Sequence, residues 1–125
     1  MVEPEFLYIE DAAFLTHDFY RNGNATGPRL DHVRPFHDVA IITTNGIQTI
    51  VANGNGISLS TKFDPKRKNT WKVPFKTSLP HGIKLVKDLR PGHDGHYMLA
   101  PAQNMPFVKF VGLLQELAIH CQRVS

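Results

Sequence analysis

The sequence predicts an α+β domain in which mainly antiparallel strands are closed by a C-terminal amphipathic helix. Two observations predict this class. Short apolar and β-branched segments alternate with tight turns, and short connections favour antiparallel pairing. The last segment instead repeats its apolar residues at intervals of three and four. With 125 residues, 42% of them hydrophobic and 20% charged, the chain has the size and balance of one globular domain, residues 1–125.

The N-terminal part of the chain contains two short predicted elements and a loop. Apolar residues favour a strand over Phe6 to Ile9. The spacing of apolar residues between Ala12 and Tyr20 is close to helical and predicts a short helix. The stretch from Arg21 to Pro28 is rich in Gly and Asn, so we expect a loop there.

The middle of the chain predicts a meander of three strands. Val39 to Thr44 and Ile47 to Val51 are rich in β-branched residues, and Asn45-Gly46 between them is a strong signal for a two-residue hairpin. A second tight turn, Asn53 to Gly56, leads into a third strand, Ile57 to Thr61. Because both connections are short, we expect the three strands to be neighbours in one sheet.

The C-terminal half adds three strands and the helix. Strands are predicted over Trp71 to Phe75, Ile83 to Asp88 and His96 to Pro101, and Pro74 restricts the first to an edge or a strand end. Pro106 suits a first helical position. The apolar stripe of the helix is formed by Phe107, Phe110, Val111, Leu114, Leu117, Ala118 and Cys121.

Composition limits the function classes. A net charge of +3 favours anionic partners such as a nucleotide, a nucleic acid or an acidic protein. The single cysteine, Cys121, excludes an intramolecular disulfide, and its place on the apolar stripe predicts an inert, buried thiol. The N-terminus lacks a signal-peptide pattern, and no apolar stretch reaches membrane-spanning length. We therefore expect a cytoplasmic protein without membrane attachment, which is compatible with delivery into another cell.

Few groups in the sequence have the spacing of a reactive site. Of seven histidines, only His93 and His96 lie close together, and HExxH and CxxC are absent, so we expect no metal site. On a strand, Ser58 and Ser60 share one face, which in its simplest interpretation is a solvent-facing surface. His96 and Tyr97 point to opposite faces, so that one can face the core and the other a cleft.

Taken in order, these blocks resemble the Tse-type bacterial toxins, which are cytosol-acting effectors of type VI secretion with a fold similar to that of ADP-ribosyltransferases. The resemblance covers roughly residues 38 to 120. Its most specific part is the block from His96 to Met105, with a His-Tyr pair, Pro-Ala and Met. A second part is the hydroxyl pair Ser60 and Thr61, which precedes Phe-Asp.

The resemblance implies a toxin that uses NAD, either to transfer ADP-ribose to a macromolecular target or to hydrolyse NAD. It also implies a neutralising immunity or antitoxin protein as partner. Implied catalytic residues are Ser60, Thr61 and His96. Implied NAD contacts are the backbone beside Gly56 for the nicotinamide amide, Ser58 for the ribose, Tyr97 stacked on the nicotinamide ring, and Lys62 near the pyrophosphate.

The chain departs from the family at its first strand, where Ile9 follows Leu-Tyr in place of an Arg that resembles the phosphate anchor of transferases. Arg21, Arg29 and Arg34 are candidate substitutes, and no residue is identified as the usual catalytic Glu. Two other hypotheses therefore stay open. One is a non-catalytic binding module on the same scaffold. The other is an RNA-acting enzyme, for which the basic run at residues 66–68, the nearby Trp71 and the histidines are the evidence.

Overall fold

A computed structural model describes all residues, 1–125, and contains ten strands and one α-helix. A single 3-10 turn, Pro4–Phe6, precedes the first strand. The elements are β1 (Leu7–Glu10), β2 (Phe19–Asn22), β3 (Ala40–Thr44), β4 (Ile47–Val51), β5 (Ile57–Ser60), β6 (Thr70–Val73), β7 (Ile83–Asp88), β8 (His96–Pro101), β9 (Met105–Pro106), α1 (Phe107–Ala118) and β10 (Gln122–Arg123).

The strands form two sheets, and every pair of named strands is antiparallel. The larger sheet has seven strands in the order β1-β7-β8-β5-β2-β6-β10, and the smaller has the order β3-β4-β9. Helix α1 buries Phe110, Leu114 and Leu117 in a core shared with both sheets. Mostly antiparallel strands with one helix near the C-terminus confirm the predicted α+β class. No helix is long and apolar enough to cross a membrane.

The predicted hairpin between β3 and β4 is confirmed. Asn45 and Gly46 both have positive φ, 51° and 78°, as a type I′ turn requires, and Thr44 pairs with Ile47. Helix α1 begins at Phe107, one residue later than predicted, and Pro106 directly precedes it.

The predicted helix between Ala12 and Tyr20 is wrong. Leu15 exchanges backbone hydrogen bonds with the loop at Lys76 and Thr77, and strand β2 begins at Phe19. Phe19 is fully buried and lies opposite Val73. Pairing with segments distant in sequence therefore overrides the local spacing.

The predicted three-strand meander is also wrong. Strand β5 leaves the sheet of β3 and β4 and pairs with β8 and β2 of the larger sheet. The turn Asn53–Gly56 thus carries the chain from one sheet to the other. At its end, Gly56 approaches the backbone of β8 so closely that an added Cβ would overlap the carbonyl oxygen of Leu99. This transfer leaves one face of β5 in the core and the other free to form a site.

Candidate active site

A polar row crosses the face of the large sheet that lies opposite the core, here called the outer face. Strand pairing places His96 opposite Ser60, Ser60 opposite Tyr20, and Tyr20 opposite Lys72. Directly paired residues share a face, so these four side chains project on the same side of the sheet. The neighbours Ile57 and Leu59 point the other way and are buried, as the alternation of β5 predicts.

A hydrogen-bonded series links three side chains of this face. The Nδ1 atom of His96 lies 2.7 Å from Oδ2 of Asp88, and its Nε2 atom lies 3.0 Å from Oγ of Ser58. An ionised carboxylate can only accept, so Nδ1 carries the proton. In the neutral ring, Nε2 is then an acceptor for the Ser58 hydroxyl. The series has the arrangement of a hydroxyl, a base and a residue that orients the base.

Arg90 holds Asp88 in place. Its Nε and one terminal nitrogen donate to the carboxylate at 3.0 and 2.7 Å, and its backbone N–H donates at 3.0 Å. Burial by itself raises the pKa of Asp88, but the hydrogen bonds from Arg90 and His96 outweigh it and hold that pKa well below its ordinary value. The Asp88 side chain is 0% exposed, so its charge is fixed and directed towards His96.

The series opens into a cleft of about 180 Å³, here called the active cleft. Its lining includes Gly56, Ser58 and His96, together with Arg90 and with Arg34, which pairs with Asp38. The buried Asn55 side chain exchanges two hydrogen bonds with the backbone of Val2 and so attaches the N-terminal segment beside this cleft.

A second cleft, of about 250 Å³, adjoins the first and is lined by Arg21, Asn22, Arg29, His32 and Arg34. We call it the arginine cleft. Arg34 lines both clefts. One terminal nitrogen of Arg21 donates to the Ser58 carbonyl at 2.9 Å, and the other donates to the Arg29 carbonyl at 3.3 Å. Arg21 therefore attaches the strand that carries Ser58 to the loop that carries the other arginines.

The predicted residues Ser60 and Lys62 lie at a third cleft, of about 240 Å³. We call it the stacking cleft, and its lining consists of Tyr20, Asn22, Ser60, Lys62, Phe63, Asp64, Arg67 and Thr70. The Ser60 hydroxyl accepts the backbone N–H of Lys62 at 3.0 Å. Thr61 follows β5 and donates its N–H to the Gly95 carbonyl. The structure thus brings Gly56, Ser58 and His96 together and places Ser60, Thr61 and Lys62 beside them.

Tyr97 does not join the predicted site. Its ring is only 4% exposed and packs edge-on against Phe19, with the ring centroids 4.9 Å apart. Of the His96-Tyr97 pair, the histidine faces the cleft and the tyrosine faces the core. We therefore do not retain the stacking of Tyr97 on a nicotinamide ring, because its ring is enclosed by the protein.

Sequence reasoning missed Asp88 and Arg90 as site residues. The sequence predicts Asp88 only as the last residue of a strand. Its one local signal is Arg90 two residues later, since a carboxylate and an arginine this close can form an ion pair. The possible ligand atoms of Asp88, His93 and His96 lie within 4.8 Å of one another. Because Arg90 engages both oxygens of the Asp88 carboxylate, we interpret this group as an ion-pair network.

Cys121 follows the end of α1 and is half-buried, not fully buried as predicted. It provides a prediction independent of the site. Burial raises the pKa of its thiol to about 12, so the thiolate is ~1,000-fold scarcer than at the ordinary thiol value. We expect iodoacetamide at pH 7.5 to modify native protein at least ~100-fold more slowly than protein unfolded in urea. Equal rates, measured by mass spectrometry, would contradict the inert role.

An α+β domain with antiparallel strands, a C-terminal helix and a polar cleft on one sheet is consistent with an ADP-ribosyltransferase-like domain. The chain belongs to the family described as Tse2 ADP-ribosyltransferase toxin, whose model matches residues 18–125. This match confirms the predicted resemblance. No curated protein and no solved structure matches the chain.

Proposed function

We propose that this chain is a toxin that breaks the bond between nicotinamide and ribose in NAD and transfers ADP-ribose to a macromolecular target. Membership of the family supports the reaction class. The observation that carries the proposal is the hydrogen-bonded series from Asp88 through His96 to Ser58, which ends in the active cleft.

The proposed role of this series is to orient the nicotinamide ribose. Since Ser58 directs its proton to Nε2 of His96, its oxygen is free to accept a hydrogen bond from a ribose hydroxyl. Positive charge develops on the ribose as the bond breaks, and a fixed polar environment stabilises it without reorganisation. Arg90 already neutralises Asp88, so the main contribution of the carboxylate is to fix the tautomer and the orientation of His96.

The dimensions of the clefts fit a ligand that extends over two of them. Ligand pockets commonly measure ~300–1,000 Å³, whereas the active cleft alone measures about 180 Å³. We place the nicotinamide ribose in the active cleft and the adenosine half over the arginine cleft. Arg34 lines both clefts, and its side chain is 62% exposed. Its Nε and one terminal nitrogen pair with Asp38, and the other terminal nitrogen makes no hydrogen bond within the protein and can donate to the pyrophosphate. This assignment gives Arg34 the role expected of Lys62, which lines the stacking cleft instead.

The first test is release of nicotinamide from NAD by the purified protein. We expect His96→Ala to lower the rate ~100-fold or more, because it removes the acceptor for the Ser58 hydroxyl. The matched control is His120→Ala, since His120 is an exposed histidine after α1 that forms a hydrogen bond only through its backbone N–H. The control variant is expected to keep the wild-type rate.

Two outcomes would contradict the proposed function. If His96→Ala released nicotinamide as fast as wild type, the hydrogen-bonded series would have no part in the reaction. If the wild-type protein, shown to be folded, neither released nicotinamide nor arrested bacterial growth when expressed, the non-catalytic binding module would be favoured.

The toxin proposal also includes a partner and a place of action. Type VI delivery and action in a target-cell cytosol are part of this proposal. A producing cell then needs a neutralising immunity or antitoxin protein, and we propose that it covers the active cleft. An acidic surface on that partner would complement the arginine cleft.

A further inference from the structure

The stacking cleft has the features of a nucleotide-binding site. The rings of Tyr20 and Phe63 are stacked, with centroids 5.1 Å apart and planes inclined by 27°. Phe63 is 41% exposed, so part of its ring is accessible from the cleft. Stacking on exposed aromatic rings is the sequence-tolerant way in which proteins hold bases of single strands.

The segment that borders this cleft is strongly basic. Between residues 61 and 72 it carries five cationic side chains and one acidic side chain, Asp64. The cations are Lys62, Lys66, Arg67, Lys68 and Lys72. None of them takes part in a salt bridge within the chain. Their charges are therefore available to phosphate groups of a bound strand.

A buried hydroxyl without a partner lies in the wall of the same cleft. Thr70 is only 3% exposed, and its Oγ1 atom has no hydrogen-bond partner within the protein. Most buried polar groups in proteins are paired, so an unpaired hydroxyl in the wall of a cleft is a candidate partner for a bound group. The amide of Asn22 lines the cleft as well: its oxygen accepts from the Arg67 guanidinium at 2.8 Å, and its NH₂ group is left to donate.

From these three observations we infer that the stacking cleft binds single-stranded RNA and presents one of its ribose hydroxyls as the acceptor of ADP-ribose. The inference rests on the proposed function. The two clefts are adjacent, since Ser60 in the stacking cleft lies directly opposite His96 in the active cleft. Ser60 accordingly contacts the acceptor, whereas Ser58 contacts the nicotinamide ribose.

The transfer step balances without a further reactant. The acceptor hydroxyl oxygen forms a bond to C1′ of the nicotinamide ribose while the bond from C1′ to nicotinamide breaks. Nicotinamide leaves as a neutral molecule with the bonding electron pair. The hydroxyl proton is released to solvent as the new bond forms. DNA shares the phosphates and bases of RNA but lacks the 2′-hydroxyl. A comparison of the two therefore distinguishes binding of the strand from transfer to its hydroxyl.

The test measures binding and transfer separately. Binding is followed by fluorescence anisotropy of a 12-nucleotide uridine oligomer at two salt concentrations. We expect Phe63→Ala to weaken binding ~10-fold or more through lost stacking, and raised salt to weaken the binding of wild type. Phe75→Ala is the matched control, because Phe75 is 50% exposed and does not line the cleft.

Transfer is followed with NAD labelled on its adenylate half, using the RNA oligomer and the DNA oligomer of the same length. We expect label on RNA only. If neither oligomer binds, or if Phe63→Ala binds as tightly as wild type, the inference is wrong. If nicotinamide is released but the bound RNA stays unlabelled, the proposed function stands and the acceptor assignment fails. If RNA binds without any release of nicotinamide, both fail.

Discussion

The Asp88→Asn variant is expected to lose ~100-fold or more of the rate of nicotinamide release, since it removes the carboxylate that fixes the tautomer and the orientation of His96. Asp88 accepts from the backbone and side chain of Arg90 and from Nδ1 of His96. An amide has only one acceptor oxygen, so its NH₂ group must face one of these donors. If it faces His96, the ring proton moves to Nε2. The Ser58 hydroxyl then meets a donor instead of an acceptor, and its orientation is lost.

The matched control is Asp94→Asn, because Asp94 is exposed and lies in the turn between Asp88 and His96. The control variant should keep the wild-type rate and stability. A rate for Asp88→Asn within twofold of wild type would show that the tautomer of His96 does not matter for the reaction. The circular dichroism spectra of both variants establish that any loss does not come from unfolding.

The stability that Asp88 contributes to the wild-type protein, relative to Asp88→Asn, should depend on pH in a defined direction. The folded state holds the pKa of Asp88 well below its ordinary value, so its carboxylate contributes stability above the unfolded value of about 3.9. That contribution is lost as the pH falls below this value towards the lower folded pKa. We expect the difference in free energy of unfolding between wild type and Asp88→Asn to be larger at pH 5 than at pH 3, and to shrink further as the pH falls. Urea titrations at several pH values measure it.

Local patterns were sufficient to predict most strands and the alternation of faces. β-Branched residues and Asn45-Gly46 define the hairpin of β3 and β4, and period-two alternation puts Ser58 and Ser60 on one face. Alternation does not determine which face of a strand packs against the core. The sequence alone therefore does not decide whether His96 or Tyr97 is buried.

The part of the site that was not predictable depends on pairing between distant segments. Strand β2 has four residues, and its position comes from pairing with β5 and β6, not from its own composition. Asp88 meets His96 because β7 and β8 pair in one register, as Val86 opposite Met98 shows. No local signal sets that register, and a shift by one residue would turn each side chain to the other face.

The Gly56→Ala variant is expected to destabilise the fold by about 3 kcal/mol, the upper part of the range for overpacking. The added Cβ would lie 2.6 Å from the carbonyl carbon of Leu99 and 2.8 Å from the Cα of Ala100, besides overlapping the Leu99 oxygen. These are backbone atoms of a strand paired on both sides, so no side chain can rotate away. β5 and β8 must separate instead.

The matched control is Gly112→Ala in α1, where an added Cβ meets nothing within 4 Å. This variant should be more stable than wild type by roughly 0.5–1 kcal/mol, because alanine is the better helix former. Equal stability of the two variants in urea unfolding would contradict the close approach of β5 to β8. Separation of these strands also moves Ser58 away from His96. Ser58 lies on β5, two residues after Gly56, and His96 lies on β8. We therefore expect any Gly56→Ala protein that folds to release nicotinamide much more slowly than wild type, even under conditions in which it stays folded. The reason is that hydrogen bonds between side chains weaken steeply with small displacements.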